Sequence, residues 1–207
     1  MTVNITELIK SIENLFADSV KLKIEKGHNI WILTTEGCSE ALNWVRNYPE
    51  KVNAIHWFGD FYLFLSIKII IEKVHNKKTI VPQEFCVSLS VFQGENYNNE
   101  KCQLFRAEWD GYNDENQQHA QPHWHITSSQ AMENSFVKYT DTFEKQEFIE
   151  LLQSEKQKVF DVKKIHFAMN GDWQNNKNHI NKIENEQQVV NWLQGVLTHI
   201  RTELNTC

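Results

Sequence analysis

Three histidines fall within seven residues of one another, at His119, His123 and His125. Imidazole is both the commonest metal ligand among side chains and the natural proton carrier near neutral pH. Upstream lie Arg106 and Glu108, separated by one residue, and downstream lies His166. These six side chains are the candidates for chemistry. Whether they can act together depends on the elements that carry them.

Successive side chains on a β-strand point to opposite sides. Read as a strand, residues 122–126 put His123 and His125 on one face and Trp124 and Ile126 on the other. Residues 104–109 separate Arg106 and Glu108 from Phe105, Ala107 and Trp109 in the same way. Residues 85–91 alternate apolar residues with Cys86, Ser88 and Ser90, and residues 164–170 set His166, Ala168 and Asn170 against Ile165, Phe167 and Met169. If these strands share one sheet, its polar face collects Arg106, Glu108, His123, His125 and His166, with the small residues 86, 88 and 90 leaving room beside them.

Three readings fit such a face. Histidines at i and i+2 can converge on one ion, with His119, His166 or Glu108 completing the set. Such ligands suit a divalent metal such as Zn or Mn, and an open coordination position activates water for hydrolysis. Alternatively, two histidines or a histidine and Glu108 move protons without a metal while Arg106 clamps an anion, as in ribonuclease-type phosphoester chemistry. The third reading is a non-enzymatic module, for instance a subunit of a bacterial complex, that docks a partner on a His/Trp face. The pattern departs from known metal motifs. The residues after His125 are Ile-Thr-Ser-Ser-Gln, which lack the glutamate of a cupin and the Asp-His of a metallo-β-lactamase. There is no P-loop, no GxGxxG and no Gly-x-Ser-x-Gly, which argues against NTPase, Rossmann and α/β-hydrolase chemistry.

The framework predicted around these strands is mixed. Asn4 with Glu7 caps a helix that carries Ile5, Leu8, Ile12 and Phe16. Residues 19–35 read as a hairpin turning at residues 26–29, and residues 61–69 as a further strand. Residues 41–48 read as a short helix that stops before Pro49. Asp141 caps a predicted helix with Phe148, Leu151 and Leu152 on its stripe. Asn185 and Gln188 open the strongest helix, whose apolar stripe includes Val189, Trp192, Leu193, Val196 and Ile200. Adjacent short strands framed by helices predict a single α+β domain over residues 1–207, mainly antiparallel sheet with helices packed on one face.

Composition narrows the partners. The net charge of −6 is spread over both halves of the chain, so no broad nucleic-acid-binding surface is expected. The longest apolar stretch, residues 61–71, falls short of the roughly 20 residues a membrane helix needs. The four cysteines form no CxxC pair, and the N-terminal residues do not form a secretory signal, so a cytoplasmic protein with free thiols is expected. The expectation is a small cytosolic metal-dependent hydrolase or RNase-like phosphoesterase with a small-molecule, RNA or protein partner. Its metal ligands are His119, His123 and His125, and its catalytic groups are Arg106, Glu108 and His166.

Overall fold

The computed structural model describes residues 2–16, 20–45, 48–94, 101–111, 122–127, 167–168 and 183–206. His119, His166 and the helix predicted after Asp141 lie outside the described residues. What is described is a sheet-rich fold of mostly antiparallel strands with two helices.

The chain opens with β1 (Val3–Asn4) and α1 (Ile5–Leu15). Asn4 caps α1 by accepting the Thr6 amide on Oδ1 at 3.1 Å, satisfying a donor that the helix itself cannot pair. The predicted hairpin is β2 (Leu22–Lys26) and β3 (Ile30–Thr35). After β4 (Ser39–Val45) and β5 (Tyr48–Phe58) come two long strands, β6 (Phe61–Val74) and β7 (Thr79–Gln93), and then β8 (Cys102–Asp110), β9 (His123–Ile126) and β10 (Phe167–Ala168). The main path runs β10-β9-β8-β7-β6-β3-β2. The last helix, α2 (Glu186–Thr206), starts as predicted, with the Gln188 amide donating to Asn185 Oδ1 at 2.9 Å.

Period-two alternation builds the core. Leu63, Leu65, Ile67 and Ile69 of β6 are wholly buried, and Phe85, Val87, Leu89 and Val91 of β7 are nearly so. They join Ala107 and Trp109 of β8, Leu8 and Ile12 of α1, and Val189, Trp192, Leu193 and Ile200 of α2 in one apolar cluster. Removing this area from water is the main favourable term in folding. The amide of Asn4 also donates to Glu186 Oε2 at 3.2 Å, joining the two helix starts. Among the described residues, no helix is long and apolar enough to cross a membrane.

The helix predicted over residues 41–48 is not formed. β4 (Ser39–Val45) pairs instead with β5 (Tyr48–Phe58), in register from Ser39 opposite Ala54 to Val45 opposite Tyr48. Ala41 and Asn43 point inward while Glu40 and Leu42 are exposed. The period is therefore two, and it is disguised because one inward residue is polar. Pro49, expected to stop a helix, sits opposite Trp44 on an edge strand, where its missing N–H is tolerated.

β5 joins β6 at its far end, with Ile55 opposite Leu63 and His56 opposite Tyr62. Its first half belongs to the β4 hairpin, which folds back against the polar face of the sheet. There Ala41, Val52 and Ala54 pack with Tyr62 and Phe92 in a second, smaller apolar cluster. Gly37 permits the approach of chain to chain, since a Cβ there would stand 2.1 Å from the Ala54 carbonyl oxygen.

Candidate functional site

The β7–β8–β9 ladders set the site by register alone. Ser90 lies opposite Arg106, Ser88 opposite Glu108, and Cys86 opposite Asp110. On the other side of β8, Arg106 lies opposite His125 and Glu108 opposite His123. Residues paired directly across antiparallel strands share a face. Arg106, Glu108, His123 and His125 therefore stand together, with Cys86, Ser88 and Ser90 beside them. Trp124 pairs with Ala107 and takes the opposite face, where its ring meets Phe105 edge-on at 5.6 Å. The histidines and Trp124 consequently do not form one docking surface.

At the centre, three atoms converge. Glu108 Oε2 lies 2.7 Å from His125 Nε2 and 3.4 Å from His123 Nε2. The two Nε2 atoms are 2.9 Å apart. The His123 side chain is 1% exposed, His125 12% and Glu108 22%. The other carboxylate oxygen, Oε1, forms an ion pair with Arg106 Nε at 2.8 Å.

The three atoms can share either protons or a cation. A ring nitrogen either carries a hydrogen and donates or carries a lone pair and accepts. If both Nε2 atoms donate to Glu108, two N–H groups converge on one oxygen with their nitrogens only 2.9 Å apart. If His123 donates to His125, then His125 and the carboxylate meet lone pair to lone pair at 2.7 Å. If His125 alone donates, its hydrogen reaches Glu108 at 2.7 Å with the His123 lone pair left beside it; a cation that accepts all three lone pairs is the alternative. Zn²⁺ sits about 2.0–2.2 Å from nitrogen and oxygen ligands, which places neighbouring ligand atoms roughly 2.9–3.4 Å apart at angles between about 90° and 110°. Only the shortest side of the triangle needs to open, by a few tenths of an ångström.

The electrostatics suit the same ligand set. Burial alone pushes the Glu108 carboxyl up, but hydrogen bonds to His123 and His125 and the Arg106 charge outweigh it, holding the group well below the usual carboxylate range. Burial lowers His125, against the raising effect of Glu108. An ionised carboxylate beside a neutral imidazole is the form that metal binding requires.

A second cluster lies two residue pairs further along the β7–β8 ladder, on the same face. Cys86 Sγ is 3.1 Å from Asp110 Oδ1 and 3.4 Å from Glu84 Oε1. Burial and the two carboxylates push the thiol well above the usual cysteine range, so Cys86 is a protonated donor and not a nucleophile. Glu84 is raised, chiefly by burial. Glu84 had no part in the sequence reading, although extending the alternation of residues 86–90 by one step places it on this face.

The polar face is less open than the small residues 86, 88 and 90 suggested. Ser90 is 1% exposed because β4 covers it, its hydroxyl donating to Asn43 Oδ1 at 2.7 Å. Gln103 Oε1 accepts the Trp44 amide at 2.6 Å, and Gln103 Nε2 donates to Ser90 Oγ at 3.3 Å. The Arg106 guanidinium donates to the Trp44 carbonyl. Strict alternation would put Gln103 on the apolar face. A bulge intervenes, since Val91 pairs with Phe105 but Phe92 pairs with Gln103, and one extra residue turns Gln103 to the polar side.

No protein family, curated protein or solved structure matches this chain.

Proposed function

We propose that Glu108, His123 and His125 bind a divalent metal, Zn or Mn, and that the protein is a small cytosolic hydrolase acting on a phosphoester or related substrate. In this reading the chain is one α+β domain whose helices gather on one face and leave the β7–β9 strands of the other for chemistry. The observation that carries the proposal is the triangle of Glu108 Oε2, His123 Nε2 and His125 Nε2, whose sides of 2.7, 2.9 and 3.4 Å bring three potential ligand atoms to one point. Two histidines and one carboxylate leave coordination positions for water and substrate. A metal held by Glu108, His123 and His125 would lower the pKa of a bound water and polarise the scissile group. Glu84 and Asp110, on the same face, add negative charge that offsets Arg106 as the cation enters.

A second reading rests on the 2.7 Å contact between His125 and Glu108. Without a metal this pair is a general base with its orienting carboxylate. The two readings separate in one assay. Tag-free protein is tested for phosphodiester and RNA cleavage, with Zn²⁺ or Mn²⁺ and then with a chelator. The metal reading predicts activity that the chelator abolishes and that added metal restores. Cleavage unaffected by the chelator supports the acid–base pair and contradicts the metal.

A further inference from the structure

Arg106 is placed as no substrate clamp would be. Its side chain is 3% exposed, and β4 lies over it. A guanidinium that stays charged at any working pH is costly to bury unless its donors find partners. One partner is the Glu108 carboxylate, paired by charge, with Oε1 2.8 Å from Nε but out of line for a hydrogen bond. Another is the main-chain carbonyl of Trp44. Because Arg106 occupies Oε1, Glu108 presents Oε2 to both histidines. Trp44 is itself held, its amide by Gln103, and its neighbour Asn43 by Ser90. A continuous set of polar contacts thus runs from the two histidines through Glu108 and Arg106 to the hairpin.

We propose that Arg106 is the positioning residue of the metal centre: it fixes the ligand carboxylate against strand β4, so that metal binding and seating of the β4–β5 hairpin are coupled. The inference rests on the metal reading given above. An ion that fixes Glu108 fixes Arg106, and through it the Trp44 carbonyl. By reciprocity, a hairpin detached from the sheet weakens the ion's hold. The planar fork of arginine can serve the carboxylate and the carbonyl together, whereas lysine is a point charge on a flexible stem.

The test uses the full chain without a tag. Co²⁺ is titrated in and followed by its visible absorption, which reports coordination geometry. Amide exchange across residues 39–45 is measured with and without Zn²⁺. Two variants are compared with the wild type: Arg106→Lys, and Asn43→Ala, which removes the Ser90 contact of the hairpin without altering a ligand residue. Melting curves identify any variant that fails to fold, and Asn43→Ala keeps the test in force if Arg106→Lys is one. Zn²⁺ is expected to slow exchange in β4 of the wild type. Arg106→Lys is expected to weaken Co²⁺ binding by about 10- to 100-fold, the usual range for a group supporting a metal ligand, to alter the spectrum and to abolish the slowing. Asn43→Ala is expected to weaken binding without altering the spectrum. Folded variants that both bind Co²⁺ like the wild type, with β4 exchange indifferent to Zn²⁺, overturn the coupling while leaving the metal reading intact. Wild-type protein that takes up no Co²⁺ overturns both.

Discussion

Glu108 and His123 face each other across the β8–β9 ladder, and that register alone puts a carboxylate from one strand against an imidazole from the next. Two further residues complete the group by the same alternation, Arg106 and His125. Glu108 therefore serves two sides at once, the buried Arg106 through Oε1 and the histidines through Oε2.

That double duty predicts a non-additive response to mutation. Glu108→Gln leaves the Arg106 charge buried without its counter-ion and should cost about 3–5 kcal/mol. Adding Arg106→Met should recover part of the loss, because the unpaired charge is then gone. Urea denaturation of the two single variants and the double variant measures this. A double variant as unstable as the sum of the singles contradicts the pairing.

Stability should fall with acid in two stages. Glu108 and His125 are both lowered in the folded chain from ordinary values of 4.5 and 6.5. A group with a lowered folded pKa binds its proton more readily when unfolded, so its contribution is complete above the unfolded value and is lost as pH falls towards the folded one. The first loss starts near pH 6.5 and comes from His125. The second starts near pH 4.5 and comes from Glu108. Glu84 has the opposite sign. It is raised by burial, so its penalty is present at neutral pH and is relieved on acidification. Denaturation midpoints between pH 4 and 8 should show the first stage in the wild type and a reduced one in His125→Gln.

Gly37→Ala should loosen the hairpin selectively. The new Cβ meets the Ala54 main chain, with the carbonyl carbon at 2.3 Å, so β4 and β5 must separate or shift. Overpacking of this kind costs about 1–3 kcal/mol. Amide exchange should rise in residues 39–54 while the central β6–β7 pair stays protected.

Gly195→Ala should act in the other direction. Gly195 is exposed within α2, and a Cβ there meets nothing within 4 Å. Alanine restricts the unfolded chain more than glycine does and favours the helix, so the variant should be roughly 0.5–1 kcal/mol more stable. Thermal melting checks the sign.

The sequence made the β7–β9 face legible because each strand alternates cleanly, and one face of apolar residues fixes the register of the other. Arg106, Glu108, His123 and His125 could be grouped for that reason. The roof over them could not be read. Asn43 turns inward because Ser90 awaits it across the sheet, and a polar residue on the buried side makes residues 41–48 look helical. Gln103 was hidden by a bulge, which shifts a side chain to the other face without a mark in local composition. Both errors concern long-range partners, which periodicity within a segment does not encode.

The central claim is that Glu108, His123 and His125 hold one divalent ion. Its most direct measurement is isothermal titration of metal-stripped, tag-free protein with Zn²⁺ and with Mn²⁺, alongside a His123→Ala, His125→Ala double variant shown to be folded. The account predicts one ion per wild-type chain, with proton release on binding, and loss of that binding in the double variant. Neither ion binding to the wild type, or equal binding to both proteins, would contradict it.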